Sequence, residues 1–237
     1  MKKEIRVFFI IIFSVMPLLF FAQNVGIGTT LPTEKLDIAG NLRVDTLKPA
    51  IIGSNEDDDV IGSNQGSASI YQFDGSSWIL MQKIFETLGY GGANYRFGSS
   101  VSISGNYSIV GTNSGANQGS ASIYQFNGSN WTLMQKIYNT NGVLADYFGC
   151  SVAISGNYAV VGALSDDEAV SGNEGSASIF IRLGNTWQRI QHCIDPYANP
   201  ADHFGTCVSI DGSTKRFIIG VPNYAIARGK SVFGKVN

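Results

Sequence analysis

Two matching runs of carboxylates are the residues of this chain best suited to chemistry. Asp57, Asp58 and Asp59 in SNEDDDVIGSNQ align without a gap on Asp166, Asp167 and Glu168 in ALSDDEAVSGNE. Clustered carboxylates among Gly, Ser and Asn are the donors a hard cation takes, since calcium collects about six to eight oxygens. Asp57, Asp59, Asp166 and Glu168 are the expected ligands, and calcium is the one cofactor they would suit. Adjacent side chains of a strand-like segment point to opposite sides, so only some of these acids are expected to share an ion. The competing reading is a solvated acidic loop, the usual fate of a charge run. A second set is aromatic: Tyr90, Tyr95, Tyr138, Tyr147 and Tyr197. Beside the acids they would bind a sugar or a peptide; the alternative is packing along a rim.

Other constellations carry less. His192, Cys193, His203 and Cys207 lie within sixteen residues, but their spacing matches no zinc motif, and zinc needs four convergent ligands. Cys150, Cys193 and Cys207 are an odd number. A Cys150–Cys207 bridge requires Cα atoms within about 7 Å, and all three replace residues at strand positions, which points to packing. There is no G-x-S-x-G elbow and no paired-carboxylate spacing, so an enzyme is not expected. The formal net charge of −2 lacks the clustered Lys and Arg of a nucleic-acid binder.

The chain begins with an address. MKKEIR is basic, VFFIIIFSVMPLLFFA is an apolar run broken by Pro17, and Ala22 precedes a polar QN. This is the layout of a secretory signal peptide over residues 1–22; a spanning helix wants about twenty apolar residues. Its removal leaves 13 basic (16 − 3) and 17 acidic (18 − 1) side chains, a net −4. The expected location is outside the cell or on its surface, with no membrane span after cleavage.

The elements that position these residues are repeats, which a fold assignment must consider first. GSASIYQFDGSSWILMQKI from Gly66 returns as GSASIYQFNGSNWTLMQKI from Gly119, with three of nineteen positions changed. A looser copy starts at Gly175. An FG opens a unit (Phe97, Phe148, Phe204), an apolar run ending in Gly follows (Gly111, Gly162, Gly220), and the first unit begins at the run ending in Gly53 without an FG. A complete unit offers four strand-like runs joined by Gly-Asn and Asn-Gly-Ser-Asn turns, which tolerate positive φ. Four strands in about fifty residues is the arithmetic of a propeller blade. The expected fold is all-β: a β-propeller of four-stranded antiparallel blades, about three and a half of them, with units near 49–94, 95–146, 147–202 and 203–237. The repeated Trp and Tyr are expected to pack between blades.

The pattern of Phe148-Gly149, Val161-Gly162-Ala163, GSASIF and Trp187 resembles the FG-GAP repeat of integrin α-subunit propellers and of secreted bacterial proteins. The resemblance implies extracellular binding or adhesion without catalysis. It also implies calcium in a D-x-D-x-D-G loop between the first two strands. This chain has Ser104-Gly105-Asn106, Ser155-Gly156-Asn157 and a single Asp211 there, so that site is not carried over. Residues 24–44 are similar to a segment near the bases of phage tail fibres, and residues 23–48 are expected to form one hairpin or linker.

Spacing selects a face. Phe-to-Gly intervals are 14, 14 and 16, and Gly-to-Trp intervals 12, 12 and 12. The loops between strands 2 and 3 span 13, 8, 13 and 9, and those from Trp to the next Phe 19, 17 and 17. Antiparallel strands put all this variation on one side, where binding residues on a rigid scaffold usually collect. The expected function is a secreted, non-catalytic module binding extracellular carbohydrate or protein through that face. The alternatives are a structural surface or fibre component, or an accessory propeller of a larger secreted enzyme. Fourteen strands do not close a ring, so the propeller is expected to be incomplete or open: a fragment of a longer gene product, or a chain that self-associates through its open blade edges.

Overall fold

The computed structural model describes residues 48–57, 65–86, 95–114, 118–167, 172–223 and 228–236, and the backbone of 25–27 and 36–38. The chain divides into two units, residues 1–46 and 47–237. In the first, β1 (Val25–Ile27) and β2 (Leu36–Ile38) pair in parallel. The Gly40-Asn41 turn and returning strand of the expected hairpin lie outside the described residues, as do residues 1–22.

Among the described residues of the second unit, fourteen strands form four antiparallel sheets. Blade 1 comprises β3 (Pro49–Ser54), β4 (Ser67–Phe73) and β5 (Trp78–Ile84). Blade 2 comprises β6 (Phe97–Ser104), β7 (Tyr107–Thr112), β8 (Ser120–Phe126) and β9 (Trp131–Ile137). Blade 3 repeats this with β10 (Phe148–Ser155), β11 (Tyr158–Ala163), β12 (Ser176–Leu183) and β13 (Thr186–Cys193). Blade 4 comprises β14 (Cys207–Asp211), β15 (Arg216–Val221) and β16 (Lys230–Lys235). Blades 2 and 3 thus have all four strands, whereas blade 1 holds strands 2–4 and blade 4 strands 1–3. Each sheet is a meander in which neighbours in sequence are neighbours in space. The tight turns form as their sequences dictate: Gly105, Gly156 and Gly184 stand at φ +57, +58 and +61, a region cheap only for Gly.

The core lies between blades. Blade 1 contributes Ala68, Ile70 and Ile84, and blade 2 meets them with Phe97, Val110, Tyr124 and Trp131. The next boundary repeats this with Ile109, Ala121 and Ile123 against Phe148, Val161, Phe180 and Trp187. Strands packed on both faces must be apolar on both, which is why YSIVG and YAVVG are nearly unbroken hydrophobic runs.

The FG and the later Gly form a single joint between blades. The first strand begins with a bulge that skips Gly98 and Ser99, or Gly149 and Cys150, the glycines at φ near +90, and directs the strand toward the preceding blade. There the Gly98 carbonyl would stand 2.1 Å from a Cβ on Gly53, and Gly149 and Gly205 repeat this over Gly111 and Gly162. A side chain at either glycine would separate the blades.

A second joint involves Gln and Trp. Gln82 Oε1 accepts from the Trp131 N–H at 2.8 Å while its Nε2 donates to the Trp131 carbonyl at 3.0 Å. Gln135 holds Trp187 in the same way, at 2.7 and 3.0 Å. Under this clasp Trp131 and Trp187 are 3% and 2% exposed, whereas Trp78 is 55% exposed. The expectation that every repeated Trp packs between blades therefore fails at Trp78, on the flank of blade 1 that no described blade covers.

Candidate functional site

The loops of varying length follow strands 2 and 4, and described parts of both meet beside blade 3. Asp57 and Asp166 play the same local role. Each carbonyl accepts from the Gly opening strand 3, Gly66 at 3.0 Å and Gly175 at 2.8 Å. Each carboxylate accepts from the following serine, Ser67 or Ser176, at 2.5 Å. The acid closes its own loop. Asp57 also pairs with Lys83 at 2.6 Å, and Asp166 accepts from Asn139 Nδ2 at 2.8 Å.

The loop entering blade 3 brings one further acid. Asp146 accepts from the Val143 N–H at 2.6 Å, and its carbonyl takes the Ser165 N–H at 3.2 Å. Asp202 does the same in the next loop, through Asn199 and Asn223. The recurring Ala-Asp-Tyr/His-Phe-Gly segment has left-handed residues on both sides of the acid, Ala145 and Tyr147, then Ala201 and His203. Ser165 is drawn against Asp146, and carboxylate oxygens of Asp146, Asp166 and Asp167 gather within 4.8 Å of one another. Asp146 and Asp166 are buried and Asp167 is exposed. Three carboxylates at this separation, one open to solvent, are a donor set that suits calcium better than a soft metal.

This differs from the expected ligand set. Asp59 and Glu168 lie outside the described residues, Asp57 belongs to another blade, and Asp146 was not among the candidates. The signal for Asp146 was the acid before FG at both 146 and 202. Alternation was also the wrong guide for Asp166 and Asp167, which follow strand β11 in a turn, where neighbouring carboxylates can converge.

The tyrosines divide as well. Tyr90 lies outside the described residues. Tyr95 and Tyr138 come together over the Lys136 ammonium, with ring centroids at 5.4 and 5.7 Å, a cation–π arrangement. Lys136 pairs with Glu86 of blade 1 at 2.7 Å, and both side chains are almost fully buried. Burial by itself would lower the Lys136 pKa, but the bond to Glu86 outweighs it and holds the ammonium above its ordinary value. Burial likewise raises the Tyr95 phenol. Tyr138 remains partly exposed and Tyr197 is 82% exposed, whereas Tyr147 serves as a left-handed loop residue.

The sulfur and imidazole groups point apart. Cys150 Sγ approaches the Gly205 carbonyl at 3.6 Å, and Cys193 packs against the core shared with blade 4. His192 meets Ser178, and His203 the Leu164 carbonyl. All three cysteines are free. On the tight-turn face, Asp211 accepts from Ser213 and Thr214. Those bonds, the Ser213 hydroxyl foremost, hold its pKa at about 2.

The FG-GAP repeat family model matches residues 78–125 and 131–180. Each match runs from a Trp strand through the first three strands of the next blade, so the sequence unit straddles the joint that its glycines build. No curated protein sequence matches the chain. Among solved structures, TolB from Acinetobacter baumannii aligns at 8% identity and TM-score 0.42, over 80% of this chain and 41% of that one. A mutant of the Aleuria aurantia lectin in complex with alpha-methyl-L-fucoside aligns at 12% identity and TM-score 0.39, over 80% of this chain and 61% of that one. The chain thus spans less than two thirds of the length of either.

Proposed function

We propose that this chain, which carries FG-GAP repeats in β-propeller blades, is an exported, non-catalytic module that binds an extracellular carbohydrate or protein. The observation that carries this reading is the convergence of Asp146, Asp166 and Asp167 where two kinds of variable loop meet. Calcium held by this trio would retain open coordination positions on the exposed Asp167 side for ligand hydroxyls or carboxylates. Exposed Tyr197 and half-exposed Tyr138 supply flat apolar surface on the same kind of loop. Such surfaces stack on a sugar ring or a peptide side chain.

A glycan array and binding to isolated cell envelopes test this, each with calcium and with chelator. The expected result is calcium-dependent capture that Asp167→Asn abolishes and Tyr197→Ala weakens, both without loss of folding. Equal capture by Asp167→Asn and wild type would overturn the metal's part. Absence of capture by either assay would overturn the binding reading.

A second reading, a structural surface component, draws on the exposed blade flanks. Ile52 is 58% exposed although its counterparts Val110 and Val161 are fully buried, and Phe233 is 76% exposed. Such flanks would associate with other copies. Light scattering on the chain separates the readings: concentration-dependent assembly without ligand supports this second one, and a stable monomer rejects it.

A further inference from the structure

The boundary between blades 1 and 2 and that between blades 2 and 3 are built from the same repeat, and they differ in one filling. Between blades 2 and 3, Tyr107 fills the space beside the tight turns. It opens β7 across from Gln125, whose Nε2 donates to the Tyr107 hydroxyl at 3.3 Å. The Tyr107 ring meets Trp187 of blade 3 edge-on, with centroids 6.2 Å apart. The Arg182 guanidinium covers the ring at 4.7 Å and donates to Asn157 Oδ1 at 2.6 Å.

Between blades 1 and 2 the frame is kept and the phenol is missing. Pro49 opens β3 across from Gln72, in the register of Tyr107 and Gln125. Phe126 stands in the repeat position of Arg182 and leans on Trp131, with ring centroids 5.4 Å apart. Proline is tolerated as the first residue of a strand, but its ring closes on its own backbone nitrogen and extends less far than a phenol. A cavity of about 160 Å3 remains, lined by Pro49, Gln72, Met81, Phe126 and Trp131. It opens at the exposed Gly105-Asn106 turn. A cavity of about 150 Å3 suffices for one benzene ring.

We infer that this cavity binds a para-substituted phenol, in the place that Tyr107 occupies at the next boundary. The incoming ring would lie between Pro49 and the Phe126–Trp131 pair, where aromatic edges and faces attract, with Met81 as an adaptable wall. Its hydroxyl would accept from Gln72 Nε2, as the Tyr107 hydroxyl accepts from Gln125. An apolar cavity with one placed polar group fixes the orientation of a small ligand. The cavity lies on the tight-turn face, away from the acidic loops, so its occupancy needs no calcium.

The probe is p-cresol, whose methyl group stands in for the tyrosine Cβ, added to the full-length protein and followed by saturation-transfer NMR. A Kd on the order of 0.1–1 mM is expected, unchanged by chelator. Pro49→Tyr fills the cavity from within and should abolish binding, whereas Pro49→Ala, which enlarges it, should retain binding. Toluene has the same shape without the hydroxyl. The ratio of the toluene Kd to the p-cresol Kd should fall about fivefold in Gln72→Leu, which keeps the volume and removes the donor. N-acetyltyrosinamide distinguishes the sources of the phenol: binding as tight as that of p-cresol assigns a tyrosyl side chain, and weaker binding a free phenol. No saturable binding at about 5 mM p-cresol, equal binding by Pro49→Tyr and wild type, or an unchanged ratio in Gln72→Leu would overturn the inference. The ratio decides it even if Pro49→Tyr fails to fold.

Discussion

Replacing Gln135 by alanine isolates the clasp between blades 2 and 3. The side chain makes two bonds to the Trp187 backbone, at 2.7 and 3.0 Å, and Trp187 lies 2% exposed. Alanine removes both and leaves an N–H and a carbonyl without their partner at a packed boundary. A net loss of about 1 kcal/mol for each bond, increased where the group stays out of water, gives about 2–4 kcal/mol. For a unit of this size that lowers Tm by roughly 5–15 °C. The assay is urea denaturation followed by Trp fluorescence, with a calorimetric scan. Gln191→Ala is the control, because this exposed residue lies at the same repeat position and bonds no Trp among the described residues; it should cost less than about 0.5 kcal/mol. Gln135→Glu retains the acceptor but sets a carboxylate against the Trp187 carbonyl, so its defect should shrink as pH falls through the carboxylate range. Equal losses for Gln135→Ala and Gln191→Ala would refute the clasp as a source of stability.

Glu86→Gln leaves the buried Lys136 ammonium without its counter-ion and should destabilise by about 3–5 kcal/mol, measured by the same denaturation. Alkaline stability follows from groups whose folded pKa is raised: burial lifts Cys150 and Cys193 from 9.0 to about 11, and, against the effect of burial, the pair with Glu86 lifts Lys136 above 10.5. The unfolded chain loses these protons first, so the contribution is complete below pH 9 and falls as pH rises through 9–11. A flat Tm between pH 8 and 11 would contradict this. Gly156→Val, at φ +58 with nothing within 4 Å of a Cβ, should cost about 1–2 kcal/mol from backbone strain alone and spare ligand binding except through unfolding. Gly162→Ala should cost more than Gly156→Ala, because its Cβ would sit 2.0 Å from the Gly205 carbonyl; comparable Tm losses would reject the joint. Calcium should raise the Tm of wild type and leave that of Asp167→Asn unchanged.

Much of the fold was legible because repetition turns a sequence into its own alignment. Three copies of the GS strand, the FG pairs and the constant turn spacings defined four-stranded blades and tight turns at Gly105, Gly156 and Gly184. Each of those features depends on neighbours in sequence: hydrophobic period, turn chemistry, the φ that Gly permits. The sequence also located Asp57 and Asp166 as equivalent residues, since both lie a constant distance before the same strand. It did not disclose that their carboxylates close loops, that Asp146 joins Asp166 and Asp167, or that Tyr95 and Tyr138 enclose Lys136. Those contacts join loops from different strands or blades, and spacing along one chain carries no information about distance across a boundary. Trp78 makes the distinction most clearly. Its sequence surroundings nearly duplicate those of Trp131, yet one ring is exposed and the other buried. Only the tertiary structure determines which of them has a preceding blade against it.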